Sequence, residues 1–243
     1  MSVSESLSVI VEPFGDSAVM VTIPADDPRR RRESIVDFRD RLLGRRPYGV
    51  TDVVSGLESL LVEFDPLETS PGHIEYAAQL LAQLPFEGTF GPRRGAHHFE
   101  IPVVFDEEVG PDLAGVATEL GTDVATVVEG VCSSSFTISL LAAAMAPMMD
   151  GLELARPVRR RDEPRTDVAP GSIMLAGTNA IIQPFRGPTG WRVVGRTPHT
   201  IVDITRSEPV SFATGDTVRF VPITAAEATA LDGSFLLPIG AER

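Results

Sequence analysis

From residue 7 to residue 23 apolar and polar positions alternate on either side of Gly15-Asp16, a period of two that predicts a hairpin of two short strands. The period then lengthens. Pro28 opens a helix running to Gly44, with Ile35, Phe38 and Leu42 on one face. Residues 51–65 return to strand spacing and hold two strands. The second, residues 57–64, is nearly continuously apolar and reads as central in its sheet. A second helix follows Ser70-Pro71 and should bury Ile74, Ala77, Ala78 and Leu81. The order ββαββα predicts a compact α+β domain over residues 1–88, its helices on one face of the sheet.

Residues 85–98 have no period, are rich in Gly and Pro, and read as a linker. A strand at 99–105 begins a second domain, residues 96–243. Two amphipathic helices come next, one grouping Leu113, Val116, Ala117 and Leu120, the other Val124, Val127, Val128 and Val131. After Phe136 the chain becomes short strands punctuated by Pro and Gly, the pattern of a closed or partly closed β-barrel.

Composition narrows the chemistry. With a net charge of −13 at pH 7 the chain suits neither nucleic acid nor an anionic membrane, since both demand a basic face. Every basic residue is arginine. Without lysine there is no Schiff-base chemistry and no Walker A loop, so any ATP used in the reaction is expected to sit on another chain. The single cysteine, Cys132, closes no internal disulfide and reads as buried and inert. The first residues lack the basic and long apolar regions of a secretory signal, and residues 140–149 are too short to span a bilayer, so a cytoplasmic location is expected.

Four motifs follow in order along the second half: Arg-Arg-Arg-Asp-Glu-Pro-Arg at 159–165, Ala-Pro-Gly-Ser-Ile at 169–173, Gly-Trp-Arg-Val-Val-Gly-Arg-Thr-Pro at 190–198 and Gly-Asp-Thr-Val-Arg-Phe-Val-Pro-Ile at 215–223. With Val-Glu-Pro-Phe-Gly-Asp-Ser-Ala at 11–18, the segment from Gly49 to Pro66, and Glu-Ile-Pro-Val-Val-Phe-Asp at 100–106, the set resembles the family of 5-oxoprolinase B-type subunits. That family includes allophanate hydrolase subunit 1, the sporulation-kinase inhibitors and half of the urea carboxylase carboxyltransferase domain. The resemblance implies a cyclophilin-like barrel for the second domain, a partner similar to the family's C-type subunits that shares a composite site, and ATP used only by the assembled complex.

The departures fall in segments that the resemblance places around the pocket. Val131 stands where family members carry a His, and residues 142–149 replace a glycine-aromatic loop. Asn179-Ala-Ile-Ile-Gln183-Pro184 replaces Gln-Thr-Gly-Ile-Tyr-Pro, and the Pro-Gly-Gly-Trp turn becomes Pro188-Thr189-Gly190-Trp191. Alanine does not enter positive φ cheaply, so the remodelled loop should take another shape. Met145, Met148 and Met149 would give it either a soft apolar lining beside Asn179 and Gln183 or core filling. Arg165 and Arg196 lie in retained motifs, where the planar guanidinium suits either a substrate carboxylate or a structural ion pair. Trp191 would wall a pocket or fill a core. Asp162 and Glu163, beside Arg159, Arg160 and Arg161, read as a solvated charge cluster.

No catalytic residue stands out. His73, His97, His98 and His199 lack partners at metal-ligand spacing, and Ser133, Ser134 and Ser135 sit in no nucleophile elbow. Three functions therefore remain open: a B-type subunit binding a small acidic amide in an ATP-dependent complex, a stand-alone cyclase or isomerase with an apolar pocket, and a non-catalytic kinase-inhibitor-like regulator.

Overall fold

The computed structural model describes residues 7–84 and 96–241, so most of the predicted linker lies outside the described residues. The chain divides into two compact units, Met1–Gly95 and Ala96–Arg243. The first contains β1 (Ile10–Pro13), β2 (Ala18–Thr22), α1 (Pro28–Arg45), β3 (Val50–Ser55), β4 (Ser59–Phe64) and α2 (Pro71–Gln83). Its antiparallel sheet has the order β1-β2-β4-β3, which places the apolar β4 internally. Alternation turns Val19, Val21, Leu60 and Val62 to one face, where they meet Ile35, Phe38 and Leu42 of α1 and Ile74, Ala78 and Leu81 of α2.

Two local expectations shift for physical reasons. Leu57 and Glu58 belong to a tight turn, closed by the Gly56 N–H donating to the Ser59 carbonyl at 2.7 Å, so β4 begins only at Ser59. On α2 the buried stripe is Ile74, Ala78, Leu81 and Ala82, with Ala77 only half-buried. Positions i, i+4, i+7 and i+8 face one side of a helix, and Ala77 lies at the margin of that stripe.

The second unit opens with β5 (His98–Val103), α3 (Leu113–Leu120) and α4 (Val124–Ser133), followed by β6 (Phe136–Leu141), a short 3-10 turn at Ala143–Met145 and β7 (Pro147–Asp150). Then come β8 (Arg165–Val168), β9 (Ser172–Ala176), β10 (Asn179–Ile182), β11 (Gly187–Thr189), β12 (Arg192–Arg196), β13 (Thr217–Pro222) and α5 (Ala225–Leu231). Seven strands run in the order β12-β9-β10-β7-β6-β13-β5, antiparallel except for the β13–β5 pair. The sheet closes on itself where the Val104 N–H donates to the Arg196 carbonyl at 2.9 Å and the Arg196 N–H returns to the Val104 carbonyl at 3.0 Å. That is why β5 pairs with β13 only as far as Val103: its next residue crosses to β12.

Inside the barrel lie Phe99, Ile101, Phe136, Ile138, Met149, Ile173, Leu175, Ala180, Val194 and Phe220. Phe136 and Phe220 meet edge to face, ring centroids 5.1 Å apart. Leu113, Val116 and Ala117 of α3 and Val127 and Val131 of α4 join the same core, each buried side chain contributing about 1.5–3 kcal/mol where it is large. Val124 is exposed instead, because it starts α4 immediately after its cap, where Asp123 accepts from the Thr126 N–H at 2.7 Å. β8 and β11 form a separate two-stranded ribbon. No helix among the described residues is long and apolar enough to cross a membrane.

Candidate functional site

Strand alternation gives β7, β10, β9 and β12 a second, outward face. Because Ile173, Leu175, Ala180 and Met149 point into the barrel, Ser172, Met174, Ile181 and Met148 point out. The register aligns Val193, Met174, Ile181 and Met148 in one apolar row across four strands. Val168, carried on the ribbon, and Trp191 pack over part of this row and form a small outer core with Met174, Val193 and Ile181. A parallel row, one step along the strands, holds Arg196 opposite Ser172, with Gln183 beyond, its N–H donating to the Ser172 carbonyl at 2.9 Å.

The two arginines singled out from the sequence have different surroundings. Arg165, first residue of β8, holds Asp112 with Nε donating to Oδ2 at 3.0 Å and Nη2 to Oδ1 at 2.8 Å. Arg161 pairs with the same carboxylate, and the Val193 N–H donates to it at 2.9 Å. Asp112 is 4% exposed. Burial alone would raise its pKa, but the bonds from Arg165 and Val193 and the charges of Arg165 and Arg161 outweigh burial and hold it below the ordinary 3.8. The same bond to Asp112 pushes the Arg165 pKa up, against a smaller desolvation effect. Arg161 thus belongs to a buried anchor rather than to a solvated cluster, and the Glu119 carboxylate accepts from the Arg159 N–H at 2.9 Å and pairs with Arg192 at 3.4 Å.

Asp112 was not singled out from the sequence. Its place before α3 suggests a helix cap, yet its side chain makes no capping bond. The absence of a Ser, Thr or Asn at a neighbouring cap position gives no hint that the carboxylate turns instead to arginines 49 and 53 residues downstream.

Arg196, by contrast, is exposed, with Nε donating to the Pro170 carbonyl at 3.1 Å. Gln183 donates from Nε2 to the Phe185 carbonyl at 2.8 Å. Asn179 lies at the other end of β10, paired with Asp150 and Ala176, about 13 Å along the strand from Gln183. Residues 142–149 do not act as one wall. Met149 is fully buried in the barrel interior, Met148 is half-buried on the outer face, and Met145 is 39% exposed in the turn. Ala144 and Met145 both adopt positive φ, at 56° and 62°, so the expectation that alanine would steer the loop away from that region is corrected: the loop takes there a costly backbone conformation that glycine would adopt freely. Val131 is fully buried in the core. The structure therefore brings Gln183, Trp191, Arg196 and Met148 onto one outer face, sets Asn179 at its edge, and separates Met149 and the engaged Arg165. Among the described residues no three His, Cys, Asp or Glu side chains gather as a metal site.

Residues 9–212 match the family described as carboxyltransferase domain, subdomain C and D. The chain is 28% identical over 212 residues to the B-type subunit of 5-oxoprolinase from Haemophilus influenzae, covering 87% of this chain and 96% of that protein. It is 25% identical over 230 residues to the same subunit from Bacillus subtilis, covering 88% of this chain and 92% of the other. The crystal structure of the K. lactis urea amidolyase superposes with a TM-score of 0.76 at 19% identity over 95% of this chain. This chain spans only 16% of that enzyme, and the likeness speaks for the fold alone.

Proposed function

This chain belongs to the carboxyltransferase-domain family, subdomains C and D, and on that premise we propose that it is the B-type component of a 5-oxoprolinase or allophanate-hydrolase-type assembly. It binds a small acidic amide at a site that a C-type partner completes. The observation that carries this reading is the match along almost the whole of a 5-oxoprolinase B-type subunit, 96% of that protein. The chemistry agrees with a shared site. A lactam resists attack by water, and a chain without lysine has no Walker A loop to hold the ATP that would drive its opening. The outer barrel face offers this chain's share: an arginine for charge, amide and hydroxyl groups for orientation, and an apolar row for the ring.

The test is reconstitution. The purified chain should release no glutamate from 5-oxoproline and hydrolyse no ATP in response to it. Adding a C-type protein of the family and a component that binds ATP should start both reactions together. Turnover by this chain alone would overturn the shared-site reading. A second reading, a stand-alone enzyme for an apolar small molecule, draws on the row formed by Val193, Met174, Ile181 and Met148. Activity without any partner on a substrate lacking a carboxylate would favour it.

A further inference from the structure

β12 is not a regular strand. Val193 pairs with Met174 and Gly195 with Ile173, so Val194 is an extra residue and the register shifts between them. In an unbroken strand Val193 outside would put Arg196 inside the barrel. The bulge adds one position, and Arg196 emerges on the outer face opposite Ser172. Gly195 makes this possible, since a Cβ there would stand 2.7 Å from the Val104 carbonyl oxygen and 2.9 Å from Val103.

Beside Arg196 the row is fixed by its backbone. Gly171, at φ +79°, donates its N–H to the Gln183 carbonyl at 2.8 Å and accepts from the Thr197 N–H at 2.9 Å. The ends of three strands are thereby tied at the level of Ser172. Ser172 is 3% exposed and lies directly opposite Arg196 in the cross-strand register. Arg196 spends only Nε on Pro170, and Gln183 spends one amide hydrogen on Phe185. Each side chain is thus oriented by one bond and retains donors for another group.

We propose that Arg196, Ser172 and Gln183 form a carboxylate-binding subsite on the outer face of the barrel, with Ile181 and Met148 as an apolar floor in the next row. Cross-strand neighbours have Cβ atoms about 5 Å apart, close enough for one carboxylate to accept from the guanidinium and the hydroxyl together. The Gln183 amide then orients whatever polar group the ligand carries next to that carboxylate. One arginine and two neutral groups match a monoanion. Arg165 does not contribute, because its guanidinium is engaged with Asp112 on two atoms. The identity of the acid as 5-oxoproline rests on the functional reading above, whereas the subsite stands on the geometry.

The chain has one tryptophan, and it packs beside the floor, so its fluorescence reports occupancy, with calorimetry as the second measurement. The probes are L-5-oxoproline, its uncharged carboxamide, and cyclopentanecarboxylate, titrated into the full chain. Both acids should saturate at millimolar concentrations, and the carboxamide should bind at least about tenfold more weakly. Arg196→Gln should weaken both acids by about tenfold or more, and Ser172→Ala by about threefold, with unchanged circular dichroism. Arg196→Lys should recover part of the loss, since it restores charge without the fork. If the acids fail to bind by both methods, or bind equally well to Arg196→Gln and Ser172→Ala, the subsite is wrong. If cyclopentanecarboxylate binds through Arg196 while 5-oxoproline does not, the subsite stands and the 5-oxoproline reading fails.

Discussion

Arg165 reaches across 53 residues of sequence to hold both oxygens of Asp112, at 2.8 and 3.0 Å. The pair joins β8 to the start of α3, and the Val193 amide brings β12 into the same knot. Removing the acid leaves Arg161 and Arg165 facing each other without a counter-charge. Asp112→Ala should therefore cost about 3 kcal/mol or more. Arg165→Met should cost less, about 1–2 kcal/mol, because Arg161 and Val193 still hold the acid. Urea denaturation of the three proteins measures both, and an Asp112→Ala variant as stable as the parent would show the pair to be incidental.

Acid should loosen the same knot. The native pKa of Asp112 lies below its ordinary value of 3.8. The ionised form is bound more tightly in the folded state, so its contribution is complete above the unfolded pKa and disappears as pH falls through the native one. Between about pH 5 and about pH 3 the urea midpoint of the parent should fall more steeply than that of Asp112→Asn. Parallel curves would mean that other carboxylates govern the acid limb.

Gly195→Ala tests how the barrel closes. Its Cβ would meet the Val104 oxygen at 2.7 Å, a backbone atom that cannot rotate away. The expected cost is about 1–3 kcal/mol, with faster amide exchange at Val104 and Arg196 than at the β9–β10 pairs. Unchanged exchange at those two amides would show that the bulge tolerates a side chain.

Trp191 is half-buried over Val168, Met174 and Val193. Trp191→Ala should lower stability by about 2–3 kcal/mol, at or below the range for fully buried aromatics. If the ring also borders the ligand, Trp191→Phe should keep most of that stability yet alter acid binding, as read by calorimetry and thermal melting.

Burial pushes the Cys132 thiol up, only partly countered by the charge of Arg219. At pH 8 its alkylation by iodoacetamide should run about tenfold slower than that of a free thiol. Reaction at the free rate would place the sulfur in a more open setting.

The apolar stripes were legible from the residues alone. Ile35, Phe38 and Leu42, and Ile74, Ala78 and Leu81, recur at helical spacing because one face of each helix must be dry. The short strands after Phe136 were legible from their Gly and Pro punctuation. The outer-face grouping of Gln183, Trp191 and Arg196 was not, since it depends on a bulge hidden in Val193-Val194-Gly195, where an apolar pair followed by glycine carries no mark of a register shift. Closure was equally silent, for Val104 and Arg196 meet through main-chain atoms that any residue possesses. Arg165 could be recognised as important, but its partner could not, because an ion pair between distant segments leaves no periodicity.

Arg196 serves two masters. Its main chain makes both hydrogen bonds of the closing pair with Val104, while its side chain points to the outer face. A breath that opens the seam must also displace the guanidinium, and a molecule gripping that guanidinium must resist the breath. Occupancy outside the barrel and integrity of its wall are consequently one equilibrium seen from two sides. Slower amide exchange at Val104 would then register a ligand that never touches Val104.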